Sequence, residues 1–350
     1  MRKHLIAVLI STVFLTCKTT FAQIINQKLS NTDQVDLLLS DTTDYEAYLL
    51  GGINNGVYGK RLRNILSTII AKDSIQTIFL SCGMRDEWLI LQFQNGVNVK
   101  KLLNRNAYKE FRNTYNYILK DDLLKSMNYK SISTNLYFFE QTEILQAIFV
   151  KNKLPQAICD LNNLSDSLVD IYGDSICIFP NEIAKIRRKL QKYELILKKS
   201  DPVDCEYYNL IFDELIEGQH ILYNYRTSRG IYNYRTHKAL GRIQAYVGTG
   251  KAFDKCIIIA DGGQLRRGDA TIFSNNKIAD STVLTYADDL ALKTCSIIYF
   301  LDFLGEKNKF IYSSDYEVLK NHSLGKATLF KAGFEGSQLK GDYDYMILIK

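Results

Sequence analysis

Two glycine-bearing turns hold the residues best placed for chemistry. The first, Leu50-Gly51-Gly52-Ile53-Asn54-Asn55-Gly56, leaves an apolar strand and opens a helix. The second, Asp261-Gly262-Gly263-Gln264, closes the apolar run Lys255-Cys256-Ile257-Ile258-Ile259-Ala260. Such turns belong at the carboxyl edge of a parallel α/β sheet, where these folds bind ligands. Acid–base catalysis there needs a group that can gain or lose a proton near ambient pH. The first turn offers only glycines and neutral amides; the second offers one carboxylate, Asp261, and the amide Gln264. A third apolar run, Thr77-Ile78-Phe79-Leu80-Ser81, ends in a hydroxyl and is followed by the acidic pair Asp86-Glu87. Adjacent residues on a helix point different ways, so that pair reads as first-turn charges favoured by the helix dipole.

Other motifs carry less. Gly248-Thr249-Gly250-Lys251 has the look of a phosphate loop but follows a helical stretch and precedes a strand. That is the wrong order for a helix N-terminus cradling phosphate, and a glycine helix cap explains it. Arg267-Gly268-Asp269 spells an adhesion tripeptide that arises often by chance. The mixed charges from Glu182 to Lys199 read as a solvated helix face. Tyr207, Tyr208, Tyr223, Tyr225, Tyr232 and Tyr234 cluster, either as packing between helices or as an aromatic-lined groove.

The elements that position these residues alternate in type. Tyr45 to Leu50 is strand-like, and Leu62, Ile65, Leu66, Ile69 and Ile70 fall on one face of an amphipathic helix. With Thr77–Ser81 they form a strand–helix–strand unit, which implies parallel pairing. Helical patterns follow at 86–93, 106–124, 140–150, 165–170, 181–200, 204–225 and 232–246. Strand-like runs lie at 129–136, 255–260, 296–301, 309–313 and 343–349. Asp201-Pro202 punctuates the helices, because proline disfavours helix in the residue before it. The reading is an α/β domain over 45–350: a mostly parallel sheet flanked by helices, with a helical insertion at about 181–250.

The N-terminus reads as a secretory leader. Arg2, Lys3 and His4 precede the apolar stretch Leu5–Leu15, and Thr20-Phe21-Ala22 offers small residues before Gln23. Cleavage after Ala22 predicts a periplasmic or extracellular protein with a polar lead-in at 23–44; lipidation at Cys17 is the alternative. The leader carries three basic residues and no acid, so its loss takes the formal charge from +6 to +3. That weak balance, with no basic run, gives no indication of nucleic acid. No later segment is long and apolar enough to span a bilayer. Six cysteines remain: Cys82, Cys159, Cys177, Cys205, Cys256 and Cys295. Most lie in apolar runs, where cysteine serves as a small buried hydrophobe, while Cys159 has Cys205 or Cys177 as a conceivable disulfide partner. No zinc-ligand spacing occurs, and only His220, His237 and His322 remain after cleavage, so neither a metal nor a cofactor is expected.

In order and spacing these motifs resemble the erythromycin-esterase-like proteins, whose wider relatives include the ChaN-like fold. The family's first motif is a strand followed by Leu-Gly-Glu-x-x-His-Gly. The register here places Gly52 at the glutamate and Asn55 at the histidine. The second family strand ends in a glutamate, where this chain has Ser81. The late His-Asn-x-His motif corresponds to Asp261-Gly262-Gly263-Gln264, with Asp261 and Gln264 at the histidines, and Arg235 stands for an arginine of the preceding helix. The closing Leu329-Phe330-Lys331 and Asp342–Lys350 segments also match, so the resemblance runs from about Tyr45 to Lys350.

The resemblance implies a cleft of carboxylates and histidines that activates water to cleave an ester. All five of those positions are changed here, and losing even one or two such groups removes most of a catalytic rate. The expectation is a catalytically degenerate homologue with a binding or structural role. Its cleft is lined by Asn55, Ser81, Arg235, Asp261 and Gln264 and takes an unidentified small molecule or envelope partner. The alternative is a hydrolase using non-standard residues such as Asp261 or the Asp86-Glu87 pair.

Overall fold

The computed structural model describes residues 27–28, 40–52, 59–133, 138–172, 178–224, 228–247, 254–267, 270–274, 277–283, 286, 290, 292–301, 317, 320–321, 327–331 and 341–349. The leader with Cys17, Asn55, Cys177, the 248–251 turn and the strand expected at 309–313 lie outside the described residues, as does the side chain of Asp261.

The elements in chain order are β1 (Gln27–Lys28), β2 (Ala47–Gly52), α1 (Gly59–Asp73), β3 (Thr77–Leu80), α2 (Met84–Gln94), α3 (Arg105–Leu119), α4 (Asp122–Lys125) and β4 (Asn128–Ser131). Five consecutive helices follow: α5 (Phe138–Lys151), α6 (Pro155–Tyr172), α7 (Pro180–Ser200), α8 (Pro202–Asn224) and α9 (Ser228–Val247). The chain then returns through β5 (Cys256–Asp261), a hairpin of β6 (Ala270–Ser274) and β7 (Lys277–Val283), β8 (Thr294–Leu301), β9 (Ala327–Lys331) and β10 (Tyr345–Ile349). The main sheet has the order β1-β9-β10-β8-β2-β5-β3-β4. From β10 to β4 every neighbouring pair is parallel, and β9 runs antiparallel to both β10 and β1. The expected α/β class with a mostly parallel sheet is what forms. One detail differs from the sequence reading: β2 and β3 are parallel but not paired, because β5 lies between them.

Side-chain alternation explains how the sheet is covered on both faces. Tyr48, Leu50, Ile78, Leu80, Ile257, Ile259, Ile297 and Ile347 face one core with helices α1–α8. Ala47, Leu49, Phe79, Cys256, Ile258, Ala260, Met346 and Leu348 face the other, against Ala239, Leu240, Ile243 and Val247 of α9. A strand covered on both sides reads as a continuous apolar run, which is why β5 is so evident in the sequence.

Helix boundaries follow local chemistry. Asn104 and Asp121 cap α3 and α4 with side-chain oxygens. Pro202 opens α8, and Asp201 accepts from the Asp204 amide at 3.1 Å, an N-cap that ends one helix and starts the next. On α7 the buried stripe is Ile183, Ile186, Leu190, Tyr193 and Leu197, which leaves its mixed charges on the opposite side. Among the described residues no helix is long and apolar enough to cross a membrane, and no group of His, Cys, Asp and Glu could hold a metal ion.

Among the described residues the cysteines, Cys82, Cys159, Cys205, Cys256 and Cys295, are free thiols. Cys159 is exposed and Cys205 buried, so the disulfide considered between them is not formed. Cys256 and Cys295 are buried in strands, and burial pushes the Cys256 thiol up to about 12. Arg267 is tied by two hydrogen bonds to Asp344, at 2.8 and 2.6 Å, and by one to the Thr294 carbonyl, which makes it a structural residue.

Candidate functional site at the carboxyl edge

Strands β2, β5 and β8 bring their carboxyl ends together: Gly52 pairs in register with Asp261 on one side and Tyr299 on the other. The glycine before it has a packing reason. A Cβ on Gly51 would overlap the Ala260 carbonyl and stand 2.6 Å from Leu265 Cδ1, so only glycine lets the 3₁₀ turn Gly262–Leu265 fold back over β2. The turn's glycine signal is therefore explained by close approach of backbone.

The remaining candidates fall at this edge to different degrees. The Ser81 amide donates to the Ile259 carbonyl at 2.8 Å, which anchors the end of β3 against β5. Its hydroxyl lies 3.0 Å from the Ser133 hydroxyl beyond the end of β4. Two hydroxyls facing each other supply no base, and a serine nucleophile needs one. Gln264 is half-buried in the 3₁₀ turn. Arg235 makes no hydrogen bond or ion pair among the described residues. It stands seven residues before Arg242 on α9, which is about 10 Å of helix. The arginine seen to reach a strand end is Arg242, whose Nη1 donates to the Ser133 carbonyl at 3.0 Å and to Glu214 Oε1 at 3.3 Å. His220 and His237 are exposed on α8 and α9.

Beside Ser133 lies a cleft of about 380 Å³ between α2, β4, α8 and α9. Its buried acids are Glu87 and Glu214, 5% and 2% exposed. Glu87 accepts from the Ser131 amide at 2.6 Å, the Tyr207 hydroxyl at 2.8 Å and Lys130 Nζ at 3.2 Å. Glu214 accepts from Gln141 Nε2 at 3.0 Å as well as from Arg242. Burial pushes the Tyr207 hydroxyl well above the ordinary tyrosine range, and the Glu87 charge adds to the shift, so this group stays a donor. Burial opposes the charge on Lys130, yet Glu87 outweighs it and raises the ammonium above its usual value.

Asp86 and Glu87 do sit in the first turn of α2, but they serve separate networks. Asp86 accepts from Tyr115 at 2.6 Å and Arg85 at 3.0 Å, while Glu87 faces the cleft. The tyrosine cluster divides similarly. Tyr208 packs between Phe149 and Phe212 in the core, and Tyr207 lines the cleft. Of the cleft's charged residues Glu87, Lys130, Glu214 and Arg242, the sequence points only to Glu87, as half of the alternative Asp86-Glu87 base. They lie on four elements, and no local spacing connects them.

No model of a known family matches this chain, and no curated protein sequence matches it. Among solved structures, a single-site mutant of the erythromycin esterase EreC in its open conformation aligns over 94% of this chain and 95% of its own. The identity is 13% and the TM-score 0.50. The chain is similar in fold to an erythromycin esterase. Two further structures align more loosely. A Bacillus cereus protein has 11% identity over 95% of this chain and 97% of its own, with a TM-score of 0.48. A succinoglycan biosynthesis protein has 10% identity over 95% of each chain, with a TM-score of 0.46. At such identities the likeness to EreC is one of fold alone.

Proposed function

We propose that this chain is an exported, catalytically degenerate protein of erythromycin-esterase-like fold that holds a ligand at the carboxyl edge of its sheet without turning it over. The observation that carries this reading is the chemistry of the strand ends. Gly52, Ser81 and Gln264 occupy positions where the resemblance calls for acids and a histidine, and none of them titrates. The Ser81 hydroxyl meets another hydroxyl, and the histidines of α8 and α9 face solvent. General-base catalysis requires a positioned group of suitable pKa, and among the five positions that the resemblance singles out only Asp261 is a carboxylate. Export with removal of residues 1–22 belongs to the same proposal and is tested by the N-terminal sequence of protein recovered from the envelope or medium, which is expected to begin at Gln23.

The mature protein, assayed against a panel of esters and macrolides, is expected to give no turnover above background. Hydrolysis that is abolished in Asp261→Asn would overturn the reading in favour of a hydrolase with non-standard residues.

A further inference from the structure

We propose that the cleft between α2, β4, α8 and α9 is a binding site for a neutral, polyhydroxylated ring, such as a sugar residue of a glycan. This deepens the binding role proposed above and rests on it. Three properties of the cleft point to that class of ligand.

The first is its charge pairing. Lys130 is matched by Glu87 at 3.2 Å and Arg242 by Glu214 at 3.3 Å. Toward the mouth, Asp213 is matched by Arg187 at 2.5 Å and Glu217 by Lys238 at 2.6 Å. An anionic ligand that captured Lys130 or Arg242 would strand Glu87 or Glu214 in the interior. A cationic ligand that captured either carboxylate would strand its cation. Leaving one member of a buried pair uncompensated is strongly unfavourable. A hydroxyl group donates to the carboxylate and accepts from the cation of the same pair, so it adds hydrogen bonds without breaking one.

The second is unspent hydrogen-bonding capacity. Arg242 uses only Nη1 among the described residues, which leaves Nε and Nη2 as donors. Glu206, also on the lining, makes no ion pair among the described residues and supplies acceptors at the rim.

The third is shape. Tyr246 lines the cleft, is 53% exposed and lies with its ring 4.9 Å from Lys130 Nζ. Lys130 covers one face of that ring, and the exposed part of Tyr246 is an aromatic surface that suits the C–H face of a sugar ring. A volume of about 380 Å³ lies within the range of pockets that enclose small organic ligands.

The test is saturation-transfer NMR on the full mature protein. The neutral probes are maltotriose, cellotriose and tri-N-acetylchitotriose, with spermidine and citrate as charged probes. The expected result is transfer to the ring protons of at least one neutral trisaccharide, with its affinity reduced about tenfold or more in Tyr246→Ala and in Arg242→Gln. Tyr246 is half exposed, so its variant is expected to fold, and the near-ultraviolet signal of the single tryptophan, Trp88, checks this. Binding of spermidine or citrate alone, no transfer to any probe, or sugar binding unchanged in both variants would each overturn the site. Cleavage of a bound trisaccharide in the same tube would support the sugar site while overturning the non-catalytic reading.

Discussion

Asp204 and Glu214 stand ten residues apart on one helix, and both are buried carboxylates, 0% and 2% exposed. Asp204 is closed in on every side. It accepts from Trp88 Nε1 of α2 at 2.9 Å, Lys151 Nζ of α5 at 2.9 Å and Asn152 Nδ2 at 2.6 Å. Asp204 therefore knots α2, α5 and α8 together. Glu214 is held behind by Gln141 and Arg242 but lines an open cleft in front. The same residue chemistry on the same helix thus serves two purposes, and what separates them is whether protein or space lies on the far side. A buried carboxylate enclosed by protein on all sides fixes packing; one that borders a cavity also meets whatever enters it.

The sharpest way to break this comparison is to remove each carboxylate in turn. Asp204→Ala leaves the Trp88 indole N–H buried without an acceptor and takes from Lys151 one of its two carboxylate partners, and the expected loss of stability is about 3–5 kcal/mol in urea unfolding. Glu214→Gln keeps the shape and one acceptor beside Arg242 and has water available at the cleft. It is expected to cost about 1 kcal/mol while weakening the ligand binding proposed above. Equal losses of stability in the two variants would remove the distinction.

The smallest effect concerns pH at the closed knot. Burial opposes the Lys151 charge, but hydrogen bonds to Asp201 and Asp204 outweigh it and raise the ammonium above its usual value. A raised folded pKa means that this contribution is full below the unfolded value of about 10.4 and is lost as pH rises through the folded one. For Asp201, burial works upward but Lys151 and the backbone donors of α8 pull the carboxyl below its ordinary value. That contribution is full above about pH 4 and is lost as pH falls through the folded value. Stability from the knot should therefore be flat from about pH 5 to 9 and decline on both sides, and Lys151→Met should shrink both limbs. A stability–pH curve unchanged in that variant would mean that the pairing contributes nothing.

How much of this was legible in the sequence depends on the range of the interactions. The β5 run and the α7 stripe could be read directly, because burial on two faces or on one writes itself into local apolar patterning. The hairpin β6–β7 and strand β9 were not read as strands, and neither was the placement of β5 between β2 and β3, because strand pairing is set by partners far along the chain. At the site, the neutral character of Gly52, Ser81 and Gln264 follows from residue type alone. Arg242 has no comparable signal, since nothing in local spacing says which turn of α9 meets the end of β4.

Sequence alone therefore determined the α/β class, the strand ends and the neutral residue types of Gly52, Ser81 and Gln264 there, because residue type and apolar periodicity are local properties. Tertiary structure decided what stands beside those ends. Glu87, Lys130, Glu214 and Arg242 meet only because α2, α8 and α9 pack around β4, and that packing is fixed by which helix faces bury against the sheet. It likewise decided that Asp204 is enclosed while Glu214 borders a cavity, since the surroundings of a buried charge are made by elements distant in the chain.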